Sequence, residues 1–98
     1  MEKYRVKEGL VTRDIKGVYF VIDIHDKHFY RNKKVNCVNA VAYTIINFIN
    51  TLDEFTCLDV AKHIHSQIKN KEVALEQVTK DMEQFIKTMV EKGWVYVI

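Results

Sequence analysis

The hydrophobic period of the chain changes once, near Asn39, and that change limits the fold more than any other feature. Before it, apolar residues come in short β-branched blocks separated by turn residues. After it, they recur at three- and four-residue spacings. Strands first and helices second is the order of an α+β domain, with helices packed on one face of a small antiparallel sheet. The expected architecture is winged-helix-like: an N-terminal three-stranded antiparallel sheet followed by three helices.

The strand blocks are short. Residues 10–15 are rich in β-formers, and Lys16-Gly17 follows as a tight turn in which Gly17 is free to take positive φ. Residues 18–24 form the strongest strand, almost continuously apolar. His25-Asp26-Lys27 reads as the next turn, and a third strand starts at His28, Phe29, Tyr30 and Arg31. Its continuation through residues 32–35 is polar, and the stretch 31–37 is long for a strand.

The helical part has clear punctuation. Asn39 is an N-cap ahead of Val41, Ile45, Phe48 and Ile49. Thr56-Cys57-Leu58-Asp59 resembles a capping box with Asp in the Glu position and opens a helix carrying Val60, Ile64 and Ile68. Asn70 and Lys71 close it. The last helix carries Leu75, Val78, Met82, Phe85, Ile86, Met89 and Val90, a stripe of more than four turns. Gly93 fits the C′ position, and the tail from Trp94 to Ile98 reads as a strand or a packed extension.

Ninety-eight residues make one domain, taken here as residues 1–98. A net charge of +2 is too weak a balance to argue for nucleic acid. The longest apolar run, residues 18–22, is far short of the ~20 that a membrane span needs. The first five residues contain no apolar signal core. Two cysteines form no disulfide framework and no metal-finger spacing. A cytoplasmic chain without a membrane partner is expected.

The candidate chemistry is thin. His63 and His65 are about 200° apart on a helix and cannot chelate together. His25 and His28 flank a turn, but a zinc site needs two more ligands. Cys57, just inside a helix N-terminus, is expected to have a lowered pKa, yet nothing around it supplies an oxyanion hole. No phosphate-cradling glycine pattern is present among Gly9, Gly17 and Gly93. No enzyme activity, metal or cofactor is expected. The exposed face of the last helix mixes Glu76, Lys80, Glu83, Lys87 and Glu91, a solvated pattern rather than a phosphate-seeking one. A winged-helix DNA-binding regulator is therefore the second reading.

The first reading is peptide binding. The sheet has open edges to which a peptide can add as a strand, its side chains entering a groove beside a helix. Phe29, Tyr30 and Phe85 stand equally as lining of such a groove or as core aromatics. Open edges and the apolar tail also allow strand-swapped homodimers.

The helical half carries an ordered pattern: Val38-Asn39, Ile45-Ile46, Phe48-Ile49-Asn50, Thr56-Cys57-Leu58-Asp59-Val60, then Val78-Thr79-Lys80-Asp81-Met82 with Phe85-Ile86, Met89 and Gly93-Trp94-Val95. In order and spacing it resembles the PqqD-like family, and Val11-Thr12-Arg13 with the strand 18–24 matches that family's opening strands. The likeness spans residues 10–95. It departs in the longer loop of residues 51–55 and in Asn50, where the family often has an Asp-Gly turn.

The resemblance implies a non-catalytic recognition element for ribosomally made, post-translationally modified peptides. Such domains fold as three strands and three helices. They hold the leader segment of a precursor peptide along the third strand, against the third helix, and hand it to a modifying enzyme such as a radical SAM enzyme, a cyclase or a leader peptidase. Relatives serve quinone cofactor synthesis, lasso-peptide maturation and radical-based crosslinking. On this chain the implied leader site is His28, Phe29, Tyr30 and Arg31 on the strand, with Val78, Asp81, Phe85 and Lys92 on the helix.

Overall fold

In the computed structural model, which describes residues 2–25, 36–69 and 72–98, five strands and three helices are present among the described residues. They run β1 (Tyr4–Val6), β2 (Leu10–Ile15), β3 (Val18–Asp23), β4 (Asn36–Val38), α1 (Ala40–Ile49), α2 (Cys57–Gln67), α3 (Leu75–Glu91) and β5 (Val95–Val97). The fold is α+β. Strands β2, β3 and β4 form an antiparallel sheet in that order. Ile15 sits opposite Val18, so the β2–β3 hairpin turns on Lys16 and Gly17 alone. Both have positive φ, 53° and 82°, which matches the twist of a two-residue hairpin. The Gly17 N–H donates to Asp14 Oδ1 at 3.0 Å and braces the turn.

The expected start of the third strand, His28, Phe29, Tyr30 and Arg31, lies outside the described residues. Among the described residues, the second partner of β3 is Asn36–Val38, with Tyr19 opposite Val38, Phe20 opposite Cys37 and Val21 opposite Asn36.

Side chains alternate across the sheet, so its two faces have different fates. Leu10, Thr12, Tyr19, Val21 and Val38 face the helices. Leu10 and Val21 are buried, the Thr12 hydroxyl donates to Asn47 Oδ1 on α1, and the Tyr19 ring lies 4.6 Å from that of Tyr43 on α1. Val11, Arg13, Ile15, Val18, Phe20, Ile22 and Cys37 alternate onto the other face, where Ile15 and Val18 are exposed.

The core forms where the helices meet that inner face. Ile45, Ile46 and Ile49 from α1, Val60 and Ala61 from α2, and Ile86 from α3 are fully buried. Each such aliphatic side chain stabilises the fold by roughly 1.5–3 kcal/mol. Helix ends follow the sequence signals. Asn39 accepts from the Ala42 N–H at 2.8 Å. The Thr56 hydroxyl accepts from the Asp59 N–H, and Asp59 accepts in return from the Thr56 N–H. Gly93, at φ 76°, donates to the Val90 carbonyl, and the Trp94 N–H reaches back to the Met89 carbonyl, which is Schellman geometry.

That reversal aims the C-terminal tail at the N-terminus. β5 pairs antiparallel with β1, Tyr4 opposite Val97 and Val6 opposite Val95. The other side of β1 is closed by Phe55, which exchanges two backbone hydrogen bonds with Tyr4 at 2.8 and 2.9 Å and stacks on its ring. The apolar tail is thus a strand, and its partner β1 escaped the sequence reading.

Candidate functional site: the cleft between β4 and α3

β4 lies at the end of its sheet, and among the described residues it pairs only with β3. It borders a groove of about 260 Å³. Cys37 and Val38 form one wall, while Phe85, Thr88, Met89 and Lys92 of α3 form the other. Buried Ile46 and Trp94 contribute the floor. Periodicity explains the helical wall. Asp81, Phe85, Thr88 and Lys92 are spaced four, three and four apart and share one stripe, flanked by the buried stripe of Met82, Ile86 and Met89. Phe85 is half-buried: it packs on the core and still borders the groove.

The groove is chiefly apolar. Among its described lining residues Lys92 carries the only charge, and its ammonium sits 5.2 Å from the centroid of the Trp94 ring. Asp81 is exposed one turn before Phe85 and accepts from Gln77 Nε2 at 3.1 Å.

The sequence-named residues therefore separate. Phe85 and Lys92 come together beside the edge strand. Asp81 extends their stripe outside the groove. Val78 shares the stripe two turns earlier but is a core residue, 4% exposed. His28, Phe29, Tyr30 and Arg31 lie outside the described residues. Cys37, Val38 and Thr88 were not named from sequence. The Val38-Asn39 pair ahead of the first helix was their nearest signal, since it fixes where the strand must end.

Elsewhere the reactive side chains are occupied. His63 stacks on Phe48 with centroids 3.8 Å apart and planes 3° from parallel. His65 Nε2 lies 2.9 Å from the Val73 carbonyl oxygen. The His25 ring sits over Gly9, where an added Cβ would meet it at 2.1 Å. Among the described residues, no three His, Cys, Asp or Glu side chains converge in a way that would hold a metal ion. No helix among them is long and apolar enough to cross a membrane.

A second hollow is lined by Glu2, Tyr4, Cys57 and Glu83. Burial and the hydrogen bond it donates to Glu2 push the Tyr4 hydroxyl up to about 12. Burial, followed by the Glu83 carboxylate, pushes the Cys57 thiol up as well. That runs against the expectation drawn from the helix N-terminus: desolvation and the Glu83 charge both disfavour the thiolate.

No family model matches the chain, and no curated protein matches it in sequence. Among solved structures it is similar to that of TbiB1 in complex with the TbiA(beta) leader peptide, with a TM-score of 0.68 over 93% of each chain and 12% sequence identity. The likeness fixes the fold: this chain shares the architecture of a protein whose structure includes a leader peptide.

Proposed function

We propose that this chain binds the leader segment of a ribosomally synthesised precursor peptide and delivers it to a modifying enzyme, in the manner of the PqqD-like recognition elements it resembles. The observation that carries this is a strand that ends its sheet among the described residues and lines a chiefly apolar groove with the half-buried Phe85. The shared fold of TbiB1, solved with a leader peptide, supports it. An added strand gains affinity from backbone pairing with β4, and alternate side chains entering the groove supply selectivity. The role is recognition rather than catalysis, in the cytoplasm where precursors are made. Its enzyme partner is a radical SAM enzyme, a cyclase or a leader peptidase. The alternating charges of Glu76, Lys80, Glu83, Lys87 and Glu91, all exposed on α3, argue against duplex DNA.

Titration with leader peptides from short reading frames neighbouring the gene tests the reading. The amides of Cys37 and Val38 and the Phe85–Lys92 segment are expected to shift on binding. Shifts at residues 28–31 would extend the strand contact upstream. Saturation without movement at Cys37, Val38 or Phe85 would refute the site. A tight, competitor-resistant complex with duplex DNA at ~150 mM salt would favour the regulator instead.

A further inference from the structure

The stripe that borders the groove is electrically polar along its length. Asp81 stands at one end, Phe85 and Thr88 in the middle, and Lys92 at the other end. Asp81 and Lys92 are both exposed, and no carboxylate among the described residues is ion-paired with Lys92. Building on the leader-binding reading, we infer that the groove reads the charge order of the bound strand: a basic residue near Asp81, a large apolar residue against Phe85 and an acidic residue near Lys92.

The spacing suits an extended chain. Eleven residues at ~1.5 Å rise put Asp81 and Lys92 about 16 Å apart along α3. Groove-facing positions of a strand recur every ~6.8 Å, so positions i, i+2 and i+4 span about 13.5 Å. Long basic and acidic side chains cover the remainder. The central residue then falls beside Phe85, where burial is available. Both charged ends lie in water, where ion pairs orient more than they tighten. A strand laid in the opposite direction meets like charge at both ends and also exchanges one type of backbone ladder with β4 for the other. The groove thus sets the direction of the leader, and with it the side from which the following segment leaves.

The test is selection of a random dodecapeptide library displayed on phage. The targets are the full chain and its double variant Asp81→Lys/Lys92→Asp, whose net charge is unchanged. Wild-type winners are expected to show basic, large apolar and acidic residues two apart in one fixed order. The double variant is expected to select the reverse charge order around the same apolar residue. Re-synthesised winners should lose about two- to fivefold in affinity for each reversed pair. Lys92→Gln serves as a second variant should the double one unfold; it should lose only the acidic preference. Winners without charge order, or an order that survives the swap, overturn this inference. If those winners still fail to bind Phe85→Ala, the leader-binding reading stands. Winners that bind Phe85→Ala unchanged, or no winners at all, overturn both.

Discussion

β1 and β4 are each three residues long and sit at opposite fates of the same fold. β1 is sealed: β5 covers one edge, and Phe55 exchanges backbone bonds on the other. It is tied through side chains as well, Arg5 Nε donating to the Asp53 carbonyl and Lys3, just before the strand, pairing with Glu54. Among the described residues β4 is held on one side only, by β3, and it lines a groove against α3. Two strands of equal length thus differ in whether their second edge has a partner among the described residues. A sealed edge adds stability; an open edge next to an apolar groove is available for a strand from elsewhere.

The largest expected effect breaks the sealed end. Phe55 is 1% exposed and stacks on Tyr4, so Phe55→Ala should cost ~3–5 kcal/mol in urea unfolding. A loss below ~1 kcal/mol would mean that β1 is not clamped as described. On the open side the same truncation should act on binding. Phe85→Ala is expected to weaken the leader complex by ~1–3 kcal/mol, seen by calorimetric titration. Its effect on folding should be smaller than that of Phe55→Ala, because Phe85 is only half-buried. Thr56→Ala removes the capping box just after Phe55 and should cost ~1 kcal/mol without changing leader affinity.

The smallest effect is a titration at the sealed end. The Tyr4 phenol is held neutral in the fold, raised from 10.0 to about 12. The unfolded chain therefore loses that proton first, so this contribution to stability is complete below pH 10 and fades as the pH rises to about 12. Tyr4→Phe should flatten the alkaline limb of the stability curve. An unchanged limb would show that the hydroxyl is neither buried nor engaged with Glu2 as described.

How much could be read beforehand follows the same division between local and distant partners. α3 was legible because its stripe and Gly93 lie within one continuous stretch, and the Asn39 and Thr56 caps are bonds between residues three apart. The β2–β3 hairpin was legible through Lys16-Gly17. β1 was not, since its partners Phe55 and β5 lie about fifty and ninety residues away and three residues carry no pattern of their own. The candidate site was half legible. Phe85 and Lys92 were named, but Val78 was placed with them on the same stripe. Periodicity supplies the angle around a helix, not which neighbour covers each turn: Val78 is in the core, while the stripe opens beside β4 two turns later. The segment Asn36–Val38 carries no strand pattern of its own and reads as a strand only through its pairing with β3, while residues 28–31 lie outside the described residues.

The outward face of the sheet has a colloidal consequence. Ile15 and Val18 are exposed there, and Ile24 just beyond β3 is 56% exposed. With a net charge of +2 and an isoelectric point near 8.5, copies of the chain repel one another weakly in mildly alkaline buffer. Near that pH an apolar surface meets its own kind with little Coulomb barrier, so solubility should pass through its minimum there. Lowering the pH well below the isoelectric point takes the net charge further from zero, which restores the repulsion and with it the concentration the protein tolerates.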